Sequence, residues 1–88
     1  MNLNELIELP AKILREELKK RVVRFTYLKK DGTKRQAIGT RNLALAEERL
    51  GETIPAPKGE YENENAYYDL EAKGWRSFVP INIISLDD

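Results

Sequence analysis

The chain contains neither cysteine nor histidine among its 88 residues. Without cysteine it has no disulfide, no thiolate nucleophile and no cysteine–zinc site, which is typical of a reducing compartment. Without histidine, Ser77 and Ser85 lack the usual general base of a nucleophilic serine. The five glycines are scattered singly and form no phosphate-binding loop. We therefore expect a protein that is not an enzyme, with no catalytic residue and no cofactor.

Long apolar runs are also absent. No stretch approaches the length of a membrane span, and the first residues do not combine a basic segment with an apolar one as a signal peptide does. Glu60, Glu62 and Glu64 offer carboxylates to a divalent cation, but a loop without a fixed scaffold predicts no metal site. We expect a cytoplasmic protein that does not bind membranes.

The net charge is zero, but its distribution along the chain is uneven. Residues 1–50 contain 12 Lys and Arg against 7 Asp and Glu, whereas residues 51–88 contain 3 against 8. Ten of the basic residues lie between Lys12 and Arg35. Such a stripe attracts phosphate groups, although a solvated surface that keeps a small domain soluble has the same composition.

The length suits one domain, with a helix in residues 1–20 and β-structure in residues 21–88. Apolar residues recur at spacings of three and four over Asn4–Lys20, which predicts an amphipathic helix. Pro10 should split this segment, ending a short first turn and opening the main helix at its first position. We expect the helix to cover one open end of the β-structure.

The segment Val22–Thr40 predicts a β-hairpin. Alternating apolar residues flank Asp31-Gly32, a dipeptide that favours a two-residue type I′ turn. That turn places Phe25 opposite Ile38, whereas a three-residue bulged turn would slip the return strand by one residue and exchange its faces. We favour the two-residue turn, in which one face carries three basic residues: Arg24, Lys30 and Arg35.

The rest of the chain predicts short elements around one long loop. Arg41–Leu50 favours a helix that ends at Gly51, although a short strand at 42–45 also fits. Residues 51–65 contain prolines and alternating glutamates, which predict a mobile acidic loop. A second hairpin follows, and a last strand closes the sheet; these strands are predicted at 66–70, 75–79 and 81–86.

Two segments of the sequence, VRFTYLKKDGTKRQAIGT and YYDLEAKGWRSFVPINIISL, resemble the small WYL-like proteins of the WYL_2 type, found mainly in Bacteroidetes, their phages and mobile elements. The resemblance covers roughly Glu17–Ala46 and Ala66–Leu86. It implies a mainly β fold: a small Sm-like, SH3-like β-barrel of about five strands with an N-terminal helix. It also implies a regulatory module that senses a nucleotide or nucleic acid in a basic groove. Family members often carry a cysteine near that groove, and this chain has none.

The matching motifs place basic groove positions at Lys29 or Lys30, at Arg35 and at Arg76. Our own extension of this candidate site adds Arg24, Lys34 and Arg41. Arginine holds phosphate in a bidentate manner or stacks on an aromatic ring, so mid-strand arginines beside tyrosines suit this role.

Each candidate residue also has a purely structural interpretation. Arg76 could pair with the neighbouring Tyr67, Tyr68 or Asp69, and Arg35 could form a cross-strand surface pair. The lysines near the turn could serve only solubility.

Two functions therefore remain open. One is a non-enzymatic module that binds a nucleotide or nucleic acid through its phosphates. The alternative is a protein-interaction module that forms homo-oligomers through a strand edge or the N-terminal helix.

Overall fold

The computed structural model describes residues 3–87, without the side chains of residues 4 and 5. Five antiparallel strands form one sheet in the order β4-β3-β2-β1-β5, so β4 and β5 are its two edges and the sheet is not closed. The predicted class, a small SH3-like or Sm-like β-barrel fold of about five strands with an N-terminal helix, is confirmed, but the prediction that the last strand closes the sheet is wrong, because β5 pairs with β1 and leaves β4 as the opposite edge. The helices and strands are α1 (Leu3–Lys20), β1 (Val23–Leu28), β2 (Lys34–Thr40), α2 (Leu43–Leu50), β3 (Ala66–Asp69), β4 (Gly74–Ser77) and β5 (Ile83–Leu86).

The first helix is continuous through Pro10, so the predicted split at this residue is wrong. A proline inside a helix cannot donate to the carbonyl four residues earlier, here that of Leu6. The turns that precede Pro10 lie away from the core, and 54% of Leu6 is exposed. Water can therefore hydrate the unpaired carbonyl, and the helix continues across the proline.

The first helix packs against one face of the sheet, which we call the inner face. Its buried residues Ala11, Leu14 and Leu18 contact a cluster of aromatic side chains. In this cluster the rings of Phe25 and Tyr67 meet edge to face with centroids 5.1 Å apart, a favourable arrangement of aromatic quadrupoles. The inner core is completed by Val23, Tyr27, Ala37 and Phe78, with Ile83 and Leu86 packed beside it.

A second, smaller core lies on the outer face of the sheet, beneath α2. Asn42 caps this helix by accepting a hydrogen bond from the Leu45 N–H, and Gly51 ends it with a left-handed φ of 71°. The predicted helix over 41–50 is thus confirmed, and the alternative strand at 42–45 is wrong. The buried residues of this outer core are Ile38, Ala46, Ile54, Tyr68 and Leu70.

The segment between α2 and β3 is tied to the outer face at two points. Ile54 is buried in the outer core, and the indole N–H of Trp75 donates to the carbonyl of Pro55 at 2.9 Å. A 3₁₀ turn, Gly59–Tyr61, follows. Hydrogen bonds from Arg41 to the carbonyls of Asn63 and Glu64 hold the other end of this segment. The mobility expected for residues 51–65 stays a prediction.

The turn of the first hairpin has three residues, so the favoured two-residue register is wrong. The Lys29 N–H donates to the Thr33 carbonyl at 2.8 Å, and the Gly32 N–H donates to the Lys29 carbonyl at 2.9 Å. Gly32 supplies the positive φ, 87°, that a type I turn with a G1 bulge needs. The Asp31 carboxylate accepts from the Thr33 hydroxyl at 2.7 Å and from the Thr33 N–H at 3.0 Å, and these bonds lower the pKa of Asp31.

This register decides which side chains share a face. Phe25 pairs with Ala37, and Tyr27 pairs with Arg35. Because directly opposed residues of an antiparallel pair point to the same side, Arg35 lies on the inner face with Tyr27. The prediction that Arg35 shares a face with Arg24 is therefore wrong.

A substitution at Gly39 tests the packing of β2 against β3. A Cβ atom at this position would lie 2.5 Å from the Tyr67 ring and 2.7 Å from the Tyr68 carbonyl oxygen. We expect Gly39→Ala to lower the free energy of unfolding in urea by roughly 2–3 kcal/mol, because overpacking forces the backbone to move. Gly59→Ala is the control, since a Cβ atom there meets nothing within 4 Å, and it should cost about 1 kcal/mol for its left-handed φ. Equal losses in the two variants would contradict this packing.

Candidate ligand-binding cleft

A cleft opens between the β1–β2 turn and strand β4. It consists of two adjoining lobes of about 380 Å³ and 440 Å³. Both lobes are lined by the same four residues, which we call the floor: Lys30, Arg76, Ser77 and Val79. The first lobe adds Tyr27, Leu28, Lys29 and Asp31. The second lobe adds Glu60, Tyr61, Asn63 and Phe78.

The hairpin register and the second hairpin bring the floor residues together. Lys30 is the first residue of the three-residue turn, and Arg76 lies in β4 directly opposite Tyr67. Beside Arg76, the hydroxyls of Tyr27 and Tyr67 share a hydrogen bond of 3.0 Å, and burial raises the pKa of Tyr67. This buried pair joins β1 to β3 next to the cleft.

The charges of the cleft are mixed, but its floor is positive. Within residues 3–87, Lys29, Lys30 and Arg76 form no ion pair. Arg76 is exposed and donates one hydrogen bond, at 2.8 Å, to the carbonyl of its neighbour Trp75. Its remaining N–H groups can therefore bind an anion. Of the two carboxylates, Asp31 is already held by Thr33.

Arg35 and Arg76 both lie on the inner face, yet only Arg76 lines the cleft. Arg35 forms a hydrogen-bonded ion pair with Asp69, whose side chain is 1% exposed. That bond raises the pKa of Arg35. The other oxygen of Asp69 accepts from the N–H groups of Glu71 and Ala72, at 2.9 Å each. Arg35 therefore joins β2 to the β3–β4 turn, and Lys30 takes the place beside Arg76 that the sequence assigned to Arg35.

Three other predicted residues do not line the cleft. Arg24 and Lys34 belong to the outer face, opposite Ile38 and Leu28 respectively. Arg41 donates to the carbonyls of Asn63 at 3.3 Å and Glu64 at 2.6 Å, so it tethers the segment before β3.

Sequence reasoning missed part of the lining. Ser77 is next to Arg76 in the GWRSF motif and could have been named with it. Tyr61 lies in the long loop, and no local pattern indicates that it reaches β4. Among the described residues, no group of three acidic side chains could hold a metal ion, and neither helix combines the length and the apolar composition needed to cross a membrane.

Comparison with protein families shows a family to which the chain is similar. The model of the WYL_2 family, described as an Sm-like SH3 β-barrel fold, matches residues 11–84. The chain belongs to the WYL_2 family. The matched residues run from the middle of α1 into β5, so they include both hairpins and all the cleft-lining residues named above. No curated protein and no solved structure matches this WYL_2 protein. Its Sm-like SH3 fold is that of a small binding module.

A substitution at Asp69 tests the structural role of Arg35. Asp69→Ala leaves a partly buried guanidinium without its carboxylate and two backbone N–H groups without an acceptor. We expect the free energy of unfolding in urea to fall by roughly 3 kcal/mol. Glu71→Ala, at the exposed neighbouring position, should change it by less than about 0.5 kcal/mol. A loss as small for Asp69→Ala as for the control would show that the ion pair does not hold the turn.

Proposed function

We propose that this WYL_2 protein is a non-enzymatic module that binds a negatively charged ligand, a nucleotide or a segment of nucleic acid, in the cleft beside β4. The observation that carries the proposal is the convergence of Lys30 and Arg76, 46 positions apart in the sequence, on one concave floor where neither has a carboxylate partner among residues 3–87.

The floor offers a phosphate group complementary contacts. Lys30 provides a compact charge with three donors, and Arg76 provides a planar guanidinium that can form two parallel hydrogen bonds. Ser77 also lines both lobes, and its hydroxyl adds a further polar group. Lys29 adds a third positive charge at the rim of the first lobe.

The cleft is also large enough for more than a phosphate. Its first lobe of about 380 Å³ lies within the usual range of small-molecule sites. Val79 and the ring of Tyr27 give this lobe apolar surface, and the second lobe adds the ring of Tyr61. Donors at the floor, with aromatic and apolar surface in the adjoining lobes, favour a ligand with an anionic group and a flat organic part. A module that binds such a ligand without converting it would act in sensing or regulation.

Fluorescence anisotropy with a labelled single-stranded oligonucleotide of about ten nucleotides tests this function, with mononucleotides as competitors. Lys30→Gln and Arg76→Gln should each weaken binding roughly tenfold, because each removes a charge-assisted hydrogen bond of about 1.5 kcal/mol. Binding should also weaken as salt rises. Lys34→Gln is the matched control on the outer face and should change affinity less than twofold. Equal effects of Lys30→Gln and Lys34→Gln would contradict the assignment of the cleft.

A second candidate function, self-assembly, is favoured by a different surface. Leu6, Leu9 and Ile13 of α1 are 54%, 38% and 49% exposed. Their spacing of three and four residues places them along one side of the helix. Large aliphatic side chains in such a row are typical of a helix that pairs with another helix. We propose that a second copy of the chain covers this row.

Sedimentation velocity over a micromolar concentration range tests self-assembly. We expect association of the unmodified protein that Leu6→Glu abolishes, because the carboxylate would have to be desolvated in the helix contact. Since Leu6 is exposed, the urea midpoint of the monomer should not fall. Glu8→Gln, on the same helix, should leave association unchanged. A monomer at every concentration would rule this function out.

A further inference from the structure

We infer that the second lobe of the cleft binds the base of the nucleotide and prefers guanine, an inference that rests on the proposed function of the cleft. In this arrangement the phosphate lies at the floor with Lys30 and Arg76. The base extends toward Glu60 and Tyr61 rather than toward the β1–β2 turn.

The first lobe has few groups that could read a base. The hydroxyl of Tyr27 is already bonded to Tyr67, and Asp31 is held by Thr33. Val79 contributes only apolar surface. Apart from the floor residues, which both lobes share, the polar side chain that remains in the described lining of this lobe is Lys29.

The second lobe contains the groups that bases require. Tyr61 is half-buried and lines the lobe, so its ring can stack on a base. Glu60 is exposed and also lines the lobe. Its carboxylate accepts no hydrogen bond and forms no ion pair within residues 3–87, so both of its oxygens can accept donors from a ligand.

The segment that presents these two residues is held in place by four contacts. The Asn63 amide donates to the Glu60 carbonyl at 2.6 Å and lies 3.5 Å from the Ser77 hydroxyl. Its oxygen accepts from the Asn65 N–H at 2.8 Å. Arg41 donates to the carbonyl of Glu64 at 2.6 Å. Glu60 and Tyr61 are thus fixed relative to the floor before a ligand binds, which lowers the entropic cost of binding.

A free carboxylate in this position discriminates between bases. Guanine presents two adjacent N–H donors on its Watson–Crick edge, which match the two oxygens of a carboxylate. Adenine and cytosine present one amino group beside a ring acceptor that would repel the second oxygen, and uracil presents a single N–H. Bidentate pairs give geometric specificity as well as affinity, whereas stacking on Tyr61 accepts every base.

Competition by the four nucleoside monophosphates against the labelled oligonucleotide tests the inference. We expect GMP to bind about tenfold more tightly than AMP, CMP or UMP, because guanine alone forms a bidentate pair of hydrogen bonds with Glu60. Glu60→Gln should lower GMP affinity to the level of AMP and should not weaken AMP, since it removes a negative charge near the phosphate. Tyr61→Leu should weaken all four.

Glu62→Gln is the matched control, because Glu62 is an exposed glutamate of the same segment; it should leave all four affinities unchanged. Circular dichroism confirms that each variant is folded. Equal binding of the four nucleotides that is unaffected by Glu60→Gln would overturn the inference and leave the proposed function standing. Failure of every nucleotide and of inorganic phosphate to compete would overturn both.

Discussion

The register of the first hairpin is the constraint on which the rest of the structure depends. Side chains alternate along a strand, so a slip of one residue exchanges the faces of the whole return strand. The three-residue turn, held by Asp31 and Thr33, sets this register. It places Arg35 on the inner face and leaves Lys30 in the floor of the cleft. With the two-residue turn, Arg35 would face the other way and Asp69 would lose its partner.

Arg35 and Arg76 have different roles because Arg35 pairs with a buried carboxylate and Arg76 does not. Asp69 is fully buried, and a buried carboxylate needs both a counter-charge and hydrogen-bond donors. Arg35 supplies the charge, and the turn after β3 supplies two N–H groups. The ion pair and the two hydrogen bonds together fix the turn from which β4 begins, and therefore the position of Arg76. Arg35 thus contributes to the proposed site through the position of Arg76, without contacting a ligand.

Much of the fold could be predicted from the sequence because its elements have local signals. Apolar spacing indicated α1, and Asn42 and Gly51 bracket α2 as its caps. The existence of both hairpins followed from alternation. The register did not, because Asp31-Gly32 suits a two-residue turn as well as a bulged three-residue turn. The register in the structure also brings Phe25 and Ala37 together in the inner core, a contact between strands that a local turn signal does not specify.

The candidate site was harder to predict, since its parts are joined only by tertiary contacts. The sequence identified Lys29, Lys30 and Arg76 as basic groove positions. It could not indicate that Arg35 forms an ion pair with Asp69, 34 residues away, and therefore does not face a ligand. Nor could it show that Arg41 ties down the chain that carries Tyr61, because this contact spans more than 20 residues. The composition of residues 51–65 predicts a loop, but it does not indicate that this segment lines a binding cleft.

A nuclear magnetic resonance titration tests the central claim most directly. Backbone amide shifts of the ¹⁵N-labelled protein would be followed while inorganic phosphate, and then a mononucleotide, is added at constant ionic strength. The account predicts saturable shifts that centre on Lys30, Arg76 and Ser77, the two sides of one cleft. Shifts centred on the outer face around Arg24 and Lys34, or no saturable shift at all, would contradict it.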